Sequence, residues 1–225
     1  MLFRSTPALL ERDPANALLA RGPRFRVEAE MVRDIALSAS GLLSSKMYGP
    51  PVMPYQPNGL WGTFPGSRGR RDEWVVSQGE DRYRRALYTF IRRSVRYPSL
   101  TVFDAPSREF STARRNHSDT PLQALTTLND PSFFESSQAM ARRIEKEGGA
   151  TATSRAIYGF RLVTARKPGA QELDSLLTGF EQDRQYFERN PKEAEGVSGK
   201  ADAELAAWTM FSNVILNLDE AITKE

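Results

Sequence analysis

TPLQALTTLNDPSFFESSQAMARRIEKEGG, residues 120–149, is the stretch on which the fold is decided. Thr120 stands as a capping residue, Pro121 occupies the first helical position, and Gln123 follows three after the cap, the pattern that satisfies the orphan N–H groups of a helix start. Leu122, Leu125 and Leu128 then repeat at helical spacing. Asn129-Asp130-Pro131 stops this short helix and caps the next, which carries Phe133, Ser137, Met140 and Ile144 along one side before Gly148-Gly149 ends it. Two helices are thus predicted to meet at a sharp corner.

Working outward toward the C-terminus, the helical period persists. Ala156, Ile157 and Phe160 lie in one helix; Leu173, Leu176, Leu177, Phe180 and Phe187 lie in a longer one that begins after Pro168-Gly169 and breaks at Asn190-Pro191. After a polar stretch around Gly196 to Gly199, Leu205, Trp208, Phe211, Ile215, Leu218 and Ile222 trace a last helix. Toward the N-terminus, Val27, Met31, Ile35, Ala39 and Leu42 recur every three or four residues, which predicts an amphipathic helix of roughly four turns. Its second half, Ala36 to Gly41, is made of small residues that let a neighbour approach closely.

Between these regions, Ser44 to Gly79 sustains no period and is cut by Pro50, Pro51, Pro54, Pro57 and Pro65. It reads as a long structured loop, and its rings, Tyr48, Tyr55, Trp61 and Phe64, argue against disorder. They serve either to pin the loop to the body or to form a stacking platform for a ligand. Glu80 to Arg96 reads as the clearest helix, with Tyr83, Leu87, Phe90 and Ile91 on one arc and Arg82, Arg85, Arg92, Arg93 and Arg96 on another. Pro98 ends it, and an extended passage leads to Arg114-Arg115-Asn116-His117. No strand-like alternation stands out. The expected fold is all-α or mainly α: an irregular helical bundle with one long aromatic, Pro/Gly-rich loop, residues 1–225 forming a single helical domain.

Composition narrows the function. The chain has 225 residues, 40% hydrophobic and 26% charged, as expected of a folded protein with a sizeable core. There is no cysteine, which excludes disulfides, thiolate metal sites and covalent haem attachment within this chain, and His117 is its one histidine. Residues 66–120 hold twelve Arg against seven acids, a balance of +5, whereas residues 169–225 hold five bases against twelve acids, a balance of −7. Either the basic middle pairs internally with the acidic end, or it forms a groove for an anionic ligand. A net charge of +3 with no reading motif argues against nucleic acid. The uncharged stretch Met47–Ser67 contains five prolines and four glycines and is therefore no membrane span. No apolar run of signal-peptide length follows Arg4.

Recognisable catalytic patterns are missing. His117-Ser118-Asp119 contains the residue types of a hydrolase relay, but as sequence neighbours whose side chains diverge. Gly66-Ser67-Arg68-Gly69 lacks the Lys-Ser/Thr ending of a phosphate loop, and no histidine pair or spaced acidic loop suggests a metal. No catalytic or metal-ligating residue is therefore nominated. Tyr55 and Trp61 of the aromatic loop, with Arg114, Arg115 and His117, are the candidate binding residues.

Several ordered motifs carry a resemblance: Phe25 to Asp34 with Ala39 to Leu43, Pro54-Tyr55-Gln56-Pro57 with Trp61, and Tyr83 to Tyr88. Phe103-Asp104-Ala105-Pro106, Thr120 to Leu125 with Leu128-Asn129-Asp130-Pro131, and Leu216 to Glu220 complete the set. Together they resemble the planctomycete-type domain of unknown function 1553. That resemblance implies a C-terminal module of large exported proteins that carry a cytochrome c region upstream. On that footing this chain is a fragment beginning inside the domain. Its home is extracytoplasmic, and haem c belongs to a separate upstream domain, with no cofactor in this chain. Its partners are other domains of the parent protein, or an extracellular polysaccharide. The function so implied is a non-catalytic interaction or binding module; the alternative is part of an extracellular enzyme or redox accessory acting on polysaccharide. Ser111 stands where relatives commonly have Cys, and Ser118-Asp119 replaces their usual Thr-Asn.

Overall fold

The computed structural model describes residues 6–22, 24–60, 74–92 and 94–224. The fold is mainly α, with ten α-helices among the described residues. Ahead of the first strand lies α1, Pro7–Arg12; β1 is Phe25–Arg26 and α2 is Ala29–Ser40. After the long loop come α3 (Pro98–Val102), α4 (Pro121–Asn129) and α5 (Pro131–Glu147). Then follow α6 (Ala152–Thr164), α7 (Ala170–Arg189), α8 (Pro191–Ser198), α9 (Ala203–Leu216), α10 (Asp219–Ile222) and β2 (Thr223–Lys224). A two-strand antiparallel ladder, with Phe25 opposite Lys224 and Arg26 opposite Thr223, ties the two ends together.

α9 is the central helix. It is apolar almost all round, a pattern that only a helix surrounded by others can satisfy, and it packs against α5, α7 and α8. Trp208 is fully buried, stacked 4.1 Å from Phe180 of α7 and edge-on at 5.1 Å to Phe211. Asp202 starts the helix by accepting the Leu205 N–H. α6 comes close because Gly159 has no side chain: a Cβ there would stand 2.7 Å from Ile144 Cδ1, which is itself fully buried. The predicted last helix to Ile222 is in fact broken after Leu216, where Asn217 caps α9 and the chain turns into α10. α8, which occupies the polar stretch, is a further helix beyond the expected set.

The corner at residues 129–131 forms as expected. Asp130 ends α4 and accepts the Ser132 N–H at 2.8 Å to start α5. The expected cap at Thr120 does not form. Its side chain makes no capping bond, and Gln123 turns away toward other loops. α2 also differs in detail, for its buried stripe is Ala29, Val32, Ala36 and Ala39, while Met31 faces outward. Its small-residue end does permit close approach: the Arg143 side chain of α5 donates to the Ser38 and Ala39 carbonyls. Gly41 closes the helix in the left-handed conformation at φ 78°.

The helix expected over Glu80–Arg96 is absent. Its described residues form two 3-10 turns, Gly79–Tyr83 and Ala86–Tyr88, joined by extended backbone at Arg84 and Arg85. Tertiary partners have claimed the groups an α-helix would use. The Ala86 N–H goes to the Asp34 carboxylate at 2.7 Å, and the Tyr88 carbonyl and Phe90 N–H pair with Val52 at 2.8 and 2.7 Å. Arg84 is buried beneath the proline-rich loop, where it donates to the Pro50 carbonyl at 2.9 Å and to the Tyr48 carbonyl, with its guanidinium 3.8 Å from the centre of the Tyr88 ring. Leu87, expected in the core, is 61% exposed. Arg93 lies outside the described residues.

Candidate functional site

α3 and the loop that follows it build the site. Pro98 at the first helical position starts α3, and the chain leaves it through Asp104, a non-glycine residue in the left-handed region at φ 63°. Aspartate tolerates this conformation better than most residues. Turned this way, the Asp104 carboxylate accepts the Ser118 N–H at 2.7 Å and the Ser118 hydroxyl at 2.6 Å. Gln123, buried on α4, donates to the Val102 carbonyl at 3.0 Å and to Ser118 Oγ at 3.1 Å, while its own carbonyl accepts from Arg26 at 2.6 Å. Arg26 also lies 3.3 Å from Asp119 and 3.5 Å from Asp219. One polar knot therefore joins β1, the end of α3, the start of α4 and α10, and holds both ends of the loop 103–120.

The outside of that loop is a groove of two adjoining hollows. The smaller, about 380 Å³, is lined in part by Arg96, Thr101, Asp104, Arg114 and Asn116. The larger, about 500 Å³, adds Arg108, Glu109 and Ser111. Pro106, Phe110, Thr112 and Arg115 belong to both, and the Phe110 ring is 72% exposed.

Ion pairing divides the four arginines. Arg115 is held against α2, 2.6 Å from Glu30 and 2.8 Å from Glu28. Burial pushes the Glu30 carboxyl up, but the Arg115 guanidinium outweighs this and holds it below the ordinary carboxylate range; the same bond raises Arg115. Arg96 reaches Glu109 at 3.4 Å. Arg108 and Arg114 make no direct ion pair among the described residues, although the Arg108 charge adds to that of Arg115 in lowering Glu30.

Of the residues nominated from sequence, Arg114 and Arg115 line the smaller hollow together. His117 is exposed on the same loop but does not line either hollow. Tyr55 enters indirectly: its carbonyl accepts the hydroxyl of Tyr97, the residue that precedes α3, at 2.6 Å. Trp61 and Phe64 lie outside the described residues, as does the Gly66-Ser67-Arg68-Gly69 stretch. Sequence reasoning missed Arg108 and Phe110, which belong to no periodic pattern. It also missed the knot of Asp104, Ser118, Gln123 and Arg26, whose only trace was that Asp104, Gln123 and Arg26 stand in the separate motifs that carry the resemblance.

Of the basic middle, Arg82, Arg85, Arg96 and Arg115 pair with Glu135, Asp34, Glu109, and Glu28 and Glu30 respectively, all outside the acidic end. Acids of the C-terminal end pair with Arg24, Arg26, Arg155, Arg166 and Arg184. Deeper in the molecule, Arg33 is buried beside α5, donating to the Arg82 carbonyl at 2.7 Å. Burial raises Asp130 and Tyr97 near it. Among the described residues no group of three or more His, Asp or Glu side chains is placed to hold a metal ion, and no helix is long and apolar enough to cross a membrane.

Fold and groove together define a mainly α domain that presents an arginine-lined loop face. Residues 3–180 match the family described as a protein of unknown function (DUF1553), and the chain belongs to that family. The match ends within α7, ahead of the central helix α9. No curated protein and no solved structure matches the chain.

Proposed function

We propose that this domain is a non-catalytic binding module that works through the groove on the 103–120 loop, as part of an exported, cytochrome c-associated multidomain protein. One observation carries the reading: the Arg108 and Arg114 guanidiniums make no direct ion pair among the described residues, although Arg108 stands in the field of Glu30, and they lie beside an exposed Phe110 on a loop whose two ends are tied down by part-buried hydrogen bonds. A groove with a fixed frame and uncommitted cations is suited to holding a partner, because little ordering entropy is lost when the partner docks. The polar groups of the knot, by contrast, are engaged with one another and with backbone, so they position the loop. The extracytoplasmic setting, the haem in a separate domain, and a partner that is either another domain of the parent protein or an extracellular polysaccharide follow from the family resemblance.

The test separates binding from chemistry. In the parent protein, Arg108→Ala combined with Arg114→Ala is expected to weaken association with its neighbouring domains or surrounding matrix by roughly tenfold, leaving any turnover of the parent unchanged. A double variant that keeps its associations but loses turnover would assign the groove to catalysis.

A further inference from the structure

We infer that the groove takes an acidic polysaccharide, a chain of pyranose sugars bearing carboxylates; this rests on the binding-module reading and names its ligand. The guanidinium of arginine matches a carboxylate with two parallel N–H donors, and Arg108 and Arg114 have that capacity uncommitted among the described residues. Phe110, 72% exposed, and Pro106 stand on the wall shared by both hollows. A lone exposed ring is ordinary on any surface, but one flanked by arginines on a shallow, open face offers a flat surface to the C–H side of a sugar while charges on either side are neutralised.

The carboxylates in the lining bear on the choice of polymer. Asp104 and Glu109 face the same groove as the arginines. They repel any polyanion, a uronate chain included, but a sugar chain also brings hydroxyls that can donate to the acceptor positions Asp104 and Glu109 leave open beside their Ser118 and Arg96 partners, which phosphate oxygens cannot do, and Thr112 and Asn116 add both donors and acceptors. An acidic peptide would also use the cations and could donate backbone N–H groups to the acids, so a comparison with oligoglutamate decides between it and a sugar chain. The two hollows, about 380 and 500 Å³ and continuous through shared walls, suit successive units of one chain.

Calorimetric titration of the whole chain with a short oligomer of galacturonic acid tests this, with the neutral galactose oligomer of the same length and an oligoglutamate as comparison probes. The uronate oligomer is expected to bind roughly tenfold or more tightly than either probe, and binding should fall with rising salt. Arg108→Ala with Arg114→Ala should remove the preference over the neutral sugar, and Phe110→Ala should weaken binding several-fold, with circular dichroism unchanged for both. Equal binding of oligoglutamate, equal binding of neutral galactose oligomer, or no binding of the uronate would overturn the ligand class. If the arginine pair still governs association in the parent protein after such a result, the binding-module reading stands without it.

Discussion

Gln123 holds three segments at once, and its amide has no solvent to fall back on. Its two ends serve the Val102 carbonyl, Ser118 Oγ and the Arg26 guanidinium, so replacing it with leucine takes one partner from each, although Ser118 keeps Asp104 and Arg26 keeps its aspartates. The cost should be about 2 kcal/mol, the usual penalty for orphaning buried polar groups. Urea unfolding of Gln123→Leu is therefore expected to show a lower midpoint at unchanged slope; an unchanged midpoint would mean the knot is dispensable. Sequence reading placed Gln123 as a helix-capping side chain, because the Thr-x-x-Gln spacing fits that role. A cap is a local bond, and it lost here to longer-range partners that the fold delivers to the same amide.

At the scale of elements, the 79–97 segment is where pattern and structure part. Its apolar and cationic arcs are those of an amphipathic helix, yet Arg84 leaves the pattern to become one of the largest fully buried side chains in the molecule. It clasps the carbonyls of the proline-rich loop and lies over Tyr88, and the backbone stays extended to let it do so. Because a planar fork is needed to span two carbonyls while stacking on a ring, lysine should not substitute. Arg84→Lys and Arg84→Ala are both expected to lose about 2–3 kcal/mol and to open residues 46–56 to limited proteolysis. Recovery of wild-type resistance by lysine would show that charge alone holds the loop. The α5 helix, by contrast, was legible from sequence because it follows its own period and burial in the core reinforces that local preference, while α9 was legible as a helix but not in its end at Leu216.

For the molecule as a whole, charge is distributed by surfaces that the chain order does not reveal. Arg115 fastens the groove loop to Glu28 and Glu30 at the start of α2, and this link carries a pH signature. The Glu30 carboxyl is held below the ordinary 4.5, so the stability it contributes is fully present above that value and is lost as pH falls through its lowered folded-state pKa. Glu30→Gln should be less stable than the native chain near neutral pH, and the gap should close in acid as that carboxylate protonates. Parallel stability curves across this range would show the pair to be inert. Asp130, whose carboxyl burial raises, is common to both proteins and drops out of the comparison. By itself the sequence determined that the protein is mainly α, where most of its longer C-terminal helices run, and the corner at Asp130, since these rest on periodicity, caps and composition encoded within a few residues. Only the tertiary structure decided that the 79–97 segment would abandon its helical pattern, that Arg108 and Phe110 would share a groove with Arg114, and that Asp104, Ser118, Gln123 and Arg26 would meet. Those outcomes depend on which distant groups compete for the same hydrogen bonds and charges, and that competition exists only once the chain has packed.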